Sequence, residues 1–114
     1  MTPKLSIVVT VYNEEENIKP LVHAISAALE GYEYEIVYVD DGSKDGTVRE
    51  LKSIQHDSLK IIELKKNYGQ SLALMAGIDY ATGEYIVTMD GDLQNDPTDI
   101  PMLLQLAEEG EWDM

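Results

Sequence analysis

The chain has 114 residues, 8 of them basic and 22 acidic, for a formal charge of −14, and 44% are hydrophobic. That length fits one domain with one core, roughly 65% of the unfolded surface being buried at this size, and the apolar content excludes a disordered acidic tail. The negative balance speaks against nucleic acid and anionic lipid as direct partners, the lack of cysteine excludes disulfides and thiolate metal sites, and no apolar run approaches the ~20 residues that cross a bilayer.

Strand and helix signals alternate four times along the chain. Leu5 to Val11 reads as a buried strand, with Ile7, Val8, Val9 and Val11 apolar. Ile18, Leu21, Val22, Ile25 and Leu29 then recur at helical spacing, and Gly31 ends the helix. Ile36 to Val39 is the second strand. Thr47 and Glu50 have the T-x-x-E spacing of a capping box, which opens a short helix through Ile54. Leu59 to Leu64 is the third strand. Gln70 to Ala81 is apolar almost all round, which predicts a well-buried helix. Thr82-Gly83 breaks it before the fourth strand, Tyr85 to Met89. A last helix carries Ile100, Leu103, Leu104 and Ala107 on one stripe behind Asp96-Pro97. Glu111 to Met114 reads as the entry to a fifth strand, so residues 1–114 are expected to be the first part of a longer domain.

Near-continuous apolar strands alternating with helices predict an α/β fold, a parallel-sheet β-α-β-α-β-α-β-α sandwich. Right-handed crossovers place every strand-to-helix loop on the carboxyl edge of the sheet, where open α/β sheets bind ligands. Each of these loops is polar: Thr10-Val11-Tyr12-Asn13-Glu14, Asp40-Asp41-Gly42-Ser43, Lys65-Lys66-Asn67-Tyr68-Gly69 and Asp90-Gly91-Asp92-Leu93-Gln94. Asp40, Asp41, Asp90 and Asp92 repel a bare pyrophosphate, so an anionic ligand is expected to arrive with a cation. The clustered donors are oxygens, which favours Mg²⁺ or Mn²⁺ over zinc. Carboxylates away from the metal can accept bonds from a ribose or a base, and Tyr12 can stack on a base. The chain has no P-loop motif and no G-x-G-x-x-G after its first strand. Asp41 to Gly46 opens like a calcium loop, but Lys52 stands where a bidentate Glu is required.

Val8-Val9-Thr10-Val11-Tyr12-Asn13-Glu14, Val39-Asp40-Asp41-Gly42-Ser43-Lys44-Asp45-Gly46-Thr47 and Met89-Asp90-Gly91-Asp92-Leu93-Gln94 together resemble the nucleotide-binding half of a glycosyltransferase family 2 enzyme. Within that family the similarity is to the dolichyl-phosphate and polyprenyl-phosphate hexose transferases. The resemblance implies the Rossmann-like first half of a GT-A fold and an inverting transfer from a UDP- or GDP-sugar. The acceptor would be a lipid phosphate, or alternatively a saccharide hydroxyl, bound by a second half. Carried over by motif, Thr10, Tyr12 and Glu14 line the nucleotide pocket, Asp41 meets the base, and Asp90 approaches ribose and metal. Asp92 binds the metal and bridges it to the pyrophosphate, with Gln94 as a further ligand. Asp90 and Asp92 are thus the expected catalytic residues. Thr10 departs from the Pro that many relatives carry. The resemblance also implies the cytoplasmic face of a membrane for the full-length protein, with no membrane contact by this segment itself.

Other polar residues carry blander expectations. Asp40 is expected to bond loop amides. Glu15 and Glu16 favour the positive end of the first helix. Asn67 and Gly69 serve loop geometry through positive φ, and Lys65 and Lys66 are expected to be solvated. His23 and His56 have no evident partner. Two other classes compete. A phosphatase with Asp90 as nucleophile is disfavoured, because its motif needs Thr or Val where Gln94 stands. A non-catalytic nucleotide-binding domain is what these residues would be in isolation.

Overall fold

The computed structural model describes residues 4–91 and 97–108. Strand β1 (Leu5–Val11) is buried along its whole length, as a β-branched strand covered on both faces must be. It pairs in parallel with β2 (Tyr34–Asp40), Val8 opposite Val37 and Val11 opposite Asp40. On its other side it pairs in parallel with β4 (Tyr85–Asp90), Thr10 lying opposite Asp90. Strand β3 (Leu59–Glu63) adds to β2, and the order of the four strands is β3-β2-β1-β4. The expected parallel α/β architecture is therefore present. Strands β2 and β4 run on to Asp40 and Asp90, so both aspartates belong to strands rather than to loops.

Alternation of side chains along the strands divides the core into two layers. Leu5, Ile7, Val9 and Val11 of β1, with Ile36 and Tyr38 of β2, face α1 (Ile18–Ala28), α2 (Thr47–Ser53) and α4 (Ile100–Glu108). Ile18, Leu21, Val22, Ile25, Leu51, Ile100 and Leu104 complete that larger layer. Val8, Val37 and Val39 face the other way, toward Ala73 of α3 (Gln70–Tyr80). A single 3-10 turn, Glu15–Asn17, precedes α1, and another, Pro97–Asp99, precedes α4. Gly31 takes a φ of 89° in the turn after α1.

Two local expectations are overturned. Helix α3 is not buried all round: Ala73 and Gly77 are its buried residues, whereas Leu72 is 52% and Met75 59% exposed. The helix sits against the sheet on one side through Gly77, where a Cβ would collide with Val8 Cγ1 and come within 2.9 Å of Val39 Cγ2. Apolar composition without periodicity did not say which face would be covered. The capping box at Thr47 is also not formed. Thr47 is the first residue of α2 and Gly46 its N-cap. The Thr47 amide donates instead to Asp45 Oδ1 at 2.9 Å, and Glu50 pairs with Lys19 of α1 at 3.4 Å. Burial acts to raise the Asp45 carboxyl, but the hydroxyl and amide of Thr47 outweigh it and hold the group below the ordinary carboxylate range.

The amino edge of the sheet is closed by a second polar cluster. Glu35 is only 5% exposed. Its Oε2 accepts the Ser6 hydroxyl at 2.6 Å, the Thr82 amide at 2.7 Å and the Thr82 hydroxyl at 3.1 Å. Ser6 Oγ in turn accepts the Gly83 amide at 2.8 Å. Burial pushes the Glu35 carboxyl up, but these bonds and the nearby Lys60 ammonium bring it below its usual value of 4.5. This carboxylate ties the turn after α3 to β1 and β2, and it borders a second hollow lined by Tyr34, Lys60 and Tyr80. His56 also has partners: its Nδ1 accepts the Ser58 amide at 3.1 Å, and its Nε2 lies 3.0 Å from Ser26 Oγ.

Candidate active site

The carboxyl ends of the strands are laced together beyond the sheet itself. The Asp41 amide donates to the Val11 carbonyl at 2.9 Å, the Gly91 amide to Thr10 at 3.0 Å, and the Leu64 amide to Asp40 at 2.9 Å. The first two loops then clasp each other. Asn13, with a φ of 54°, receives the Lys44 amide on Oδ1 at 2.8 Å and gives its own amide to Ser43 Oγ at 2.8 Å. The Glu14 amide donates to Thr47 Oγ1 at 2.9 Å. These contacts set the path of the Tyr12–Glu14 turn over the sheet edge.

The acidic pair after β2 divides its work. Asp40 is 2% exposed. Its Oδ2 accepts the Ser43 amide at 3.0 Å, the loop bonding expected of it, while Oδ1 has no hydrogen-bond partner among the described residues. Asp41 reaches across to the loop after β3, accepting the Tyr68 amide on Oδ1 at 2.8 Å and the Gly69 amide on Oδ2 at 3.1 Å. Each oxygen keeps a second lone pair. Asn67 assists by donating to the Asp41 carbonyl at 3.2 Å. Its role is that bond and not a positive φ, which Gly69 takes at 101°. Lys66 stands over the Tyr68 ring at 5.2 Å.

The end of β4 fits tightly against β1. A Cβ on Gly91 would collide with Val11 Cγ1 and lie 3.2 Å from the Thr10 carbonyl oxygen. The glycine between the two aspartates is therefore required by β1 itself. The Gln70 side-chain amide, at the first position of α3, donates to Asp90 Oδ1.

An open cleft of about 210 Å³ lies over this edge, lined by Thr10, Val11, Tyr12, Glu14, Asp41, Gln70, Asp90 and Gly91. Thr10, Tyr12, Glu14, Asp41 and Asp90, all singled out from sequence, thus face one cavity. Asp92 and Gln94 lie outside the described residues. Gln70 was not anticipated. Its signal was a polar residue at the first position of a largely apolar helix, just after Gly69. Among the described residues no three histidine, aspartate or glutamate side chains form a metal cage. Asp90 alone of the expected ligands is described; it is exposed at the cleft, and its carboxylate is the kind of oxygen donor that a hard cation takes.

A parallel sheet of order β3-β2-β1-β4, with an acidic cleft over its carboxyl edge, defines a Rossmann-like α/β domain of the GT-A kind. Residues 6–114 match Glycosyl transferase family 2, and the chain belongs to that family. It is 46% identical over 116 residues to a dodecaprenyl-phosphate galacturonate synthase of Rhizobium johnstonii, covering 97% of this chain and 34% of that protein. A mannosyltransferase of Pyrobaculum calidifontis solved with GDP-Man and Mn²⁺ superposes with a TM-score of 0.75 at 28% identity, covering 94% of this chain and 33% of that one. S. aureus TarS with UDP gives a TM-score of 0.77 at 27% identity, covering 93% and 32%. The chain thus spans about a third of the length of these relatives. Among the described residues no helix is long and apolar enough to cross a membrane.

Proposed function

We propose that the chain is the donor-binding part of an inverting glycosyltransferase that moves a hexose-type sugar from a UDP- or GDP-sugar to a polyprenyl phosphate. The observation that carries this reading is the convergence of Thr10, Tyr12, Glu14, Asp41 and Asp90 on one cleft over the sheet edge. The dodecaprenyl phosphate in the name of the Rhizobium relative, and the GDP-Man, UDP and Mn²⁺ bound by the structural neighbours, support it.

In this mechanism the Tyr12 ring stacks on the base. The lone pairs of Asp41 not used by Tyr68 and Gly69 accept a base N–H. Thr10 and Glu14 border the nucleoside. Asp90, Asp92 and Gln94 would hold Mg²⁺ or Mn²⁺, which would supply positive charge against the leaving nucleoside diphosphate. The pocket fixes the donor so that its anomeric carbon is open on the face away from the diphosphate. An acceptor oxygen entering there displaces the diphosphate with inversion. A lipid phosphate is already anionic and needs little general-base help, and its binding is assigned to polypeptide beyond these 114 residues.

Calorimetry with UDP and GDP, with and without Mn²⁺, tests the reading. Metal-enhanced binding of one nucleotide is expected, and Asp92→Ala should remove the enhancement. Binding indifferent to both metal and that substitution would refute it. Residues 1–114 alone are expected to transfer little or no sugar in a radiolabel assay, and ready turnover would contradict the division of labour.

A further inference from the structure

Glu14 lines the cleft, and three bonds to two other residues fix where it stands. Its amide donates to Thr47 Oγ1 at 2.9 Å. Its carbonyl accepts the Asn17 amide at 2.9 Å, which closes the 3-10 turn Glu15–Asn17. Its carboxylate accepts Asn17 Nδ2 on Oε2 at 2.7 Å. Asn17 therefore grips Glu14 twice, once through the main chain and once through the side chain.

This is not the ordinary use of an asparagine at that place. Asn17 is the residue before α1, where an asparagine side chain usually accepts a bond from the first helical amides. Asn17 makes no such capping bond, and its side chain is committed to Glu14 instead. A carboxylate can only accept, so Nδ2 is the atom that faces Oε2. Side chains three residues apart eclipse one another in a 3-10 turn, which sets the amide beside the carboxylate. A glutamate at the rim of a cleft otherwise samples many rotamers, and the Asn17 bond selects one of them before any ligand arrives. The second oxygen, Oε1, takes no hydrogen bond or ion pair among the described residues. It is left to accept a hydroxyl or N–H group of a ligand.

We infer that Asn17 is a positioning residue for the nucleoside end of the cleft: it forgoes capping α1 and holds the Glu14 carboxylate in one orientation toward the bound nucleoside. The inference rests on the nucleotide-binding reading proposed above. It adds a residue that is not among the described residues lining the cleft. Asn17 borders a smaller hollow instead, with Asn13, Glu15, Glu16 and Asp45.

The test compares wild type with Asn17→Ala and Asn17→Asp in the full-length protein, by calorimetry with UDP and GDP under saturating Mn²⁺. Alanine removes the donor. Aspartate keeps the shape and suits a helix start as well as asparagine does, but it sets a second carboxylate against Glu14. Two carboxylates so placed share one proton on acidification, and the shared proton restores the bond. Glu15, Glu16 and Asp45 face the same hollow, Arg49 pairs with Glu15 at 3.7 Å, and Asp41 and Asp90 face the cleft. All of these are common to wild type and variant, so the ratio of affinities isolates the new pair. At neutral pH both variants are expected to bind the preferred nucleotide about 10-fold more weakly. Between about pH 7 and pH 5 the gap for Asn17→Asp should narrow while that for Asn17→Ala holds. In a Glu14→Ala background, Asn17→Ala should cause no further loss. Wild-type affinity in either variant at neutral pH would overturn the assignment and leave the nucleotide reading standing. An Asn17→Asp gap that ignores pH, a further loss in the Glu14→Ala background, or failure of both variants to fold would overturn it too, making Asn17 a residue of the fold. Wild-type protein that binds neither nucleotide would remove the functional reading and this assignment together.

Discussion

Replacing Glu35 by glutamine or by alanine separates the charge of this buried carboxylate from its shape. Its Oε2 accepts bonds of 2.6 Å from Ser6, 2.7 Å from the Thr82 amide and 3.1 Å from the Thr82 hydroxyl. Glutamine can place a neutral oxygen at the same point, so it keeps the acceptor and loses the charge assistance. Bonds to charged groups exceed neutral ones by about 1 kcal/mol, which predicts a loss of about 1–2 kcal/mol over the two short bonds. Alanine removes the acceptor and strands the buried Ser6 hydroxyl and the Thr82 amide, for about 3 kcal/mol. At this chain length each kcal/mol moves the melting temperature by about 4 °C. The pH dependence is specific as well. The folded carboxyl lies below its usual value of 4.5, so the native state binds fewer protons than the unfolded chain in that range. The stabilisation is present above about 4.5 and disappears as pH falls through the lowered folded value. Asp45 is also depressed, but it is common to wild type and variant and cancels in their difference. Urea unfolding followed by circular dichroism, at neutral pH and in steps below 4.5, should show the gap between wild type and Glu35→Gln closing with acid. A gap constant across pH, or glutamine as damaging as alanine, would refute the reasoning.

Three further outcomes follow from positions around the cleft. Gly42→Ala forces a left-handed φ of 76° on a residue whose Cβ would also meet the Lys66 carbonyl carbon and lie 2.5 Å from the Asn67 nitrogen. A loss of about 3 kcal/mol in urea unfolding is expected, with faster hydrogen exchange at the Tyr68 and Gly69 amides. Gly91→Ala meets the tip of Val11 and should cost about 1–2 kcal/mol, recovered in part by Val11→Ala in a double-mutant cycle. Tyr12→Ala, at a position 40% exposed within the cleft, should lower nucleotide affinity about tenfold in calorimetry through loss of stacking.

Strands were legible because a strand buried on both faces is mostly apolar, and β1 was bounded correctly by its Leu, Ile and Val residues although Ser6 and Thr10 interrupt them. The ends of β2 and β4 were placed one residue short, since Asp40 and Asp90 break the apolar run while continuing the ladder. For α3 composition misled. Leu72, Met75 and Ile78 form an exposed apolar stripe opposite Ala73 and Gly77, which evens out hydropathy around the helix, and only the packing of Gly77 on Val8 and Val39 decides the inward side. The capping signal at Thr47 failed because Asp45, two residues earlier, offers a carboxylate to the same amide. Cleft-lining residues Thr10, Tyr12, Glu14, Asp41 and Asp90 were legible because they lie at the carboxyl ends of strands or in the loops just after them. Gln70, Glu35 and His56 were not, because each acts through a partner distant in sequence: Asp90, Thr82 and Ser26.

The uneven dressing of the sheet has a colloidal consequence. Among the described residues three helices cover one face and α3 alone stands on the other, turning Leu72, Met75 and Tyr80 outward. Such a face draws copies of a chain together. Opposing it is the charge of −14, which acts between molecules over a Debye length of about 10 Å at 0.1 M salt and about 3 Å at 1 M. Acidity therefore works here as a dispersant, stronger at neutral than at acid pH and at low ionic strength, weakened by salt that screens the carboxylates and by acid that protonates them.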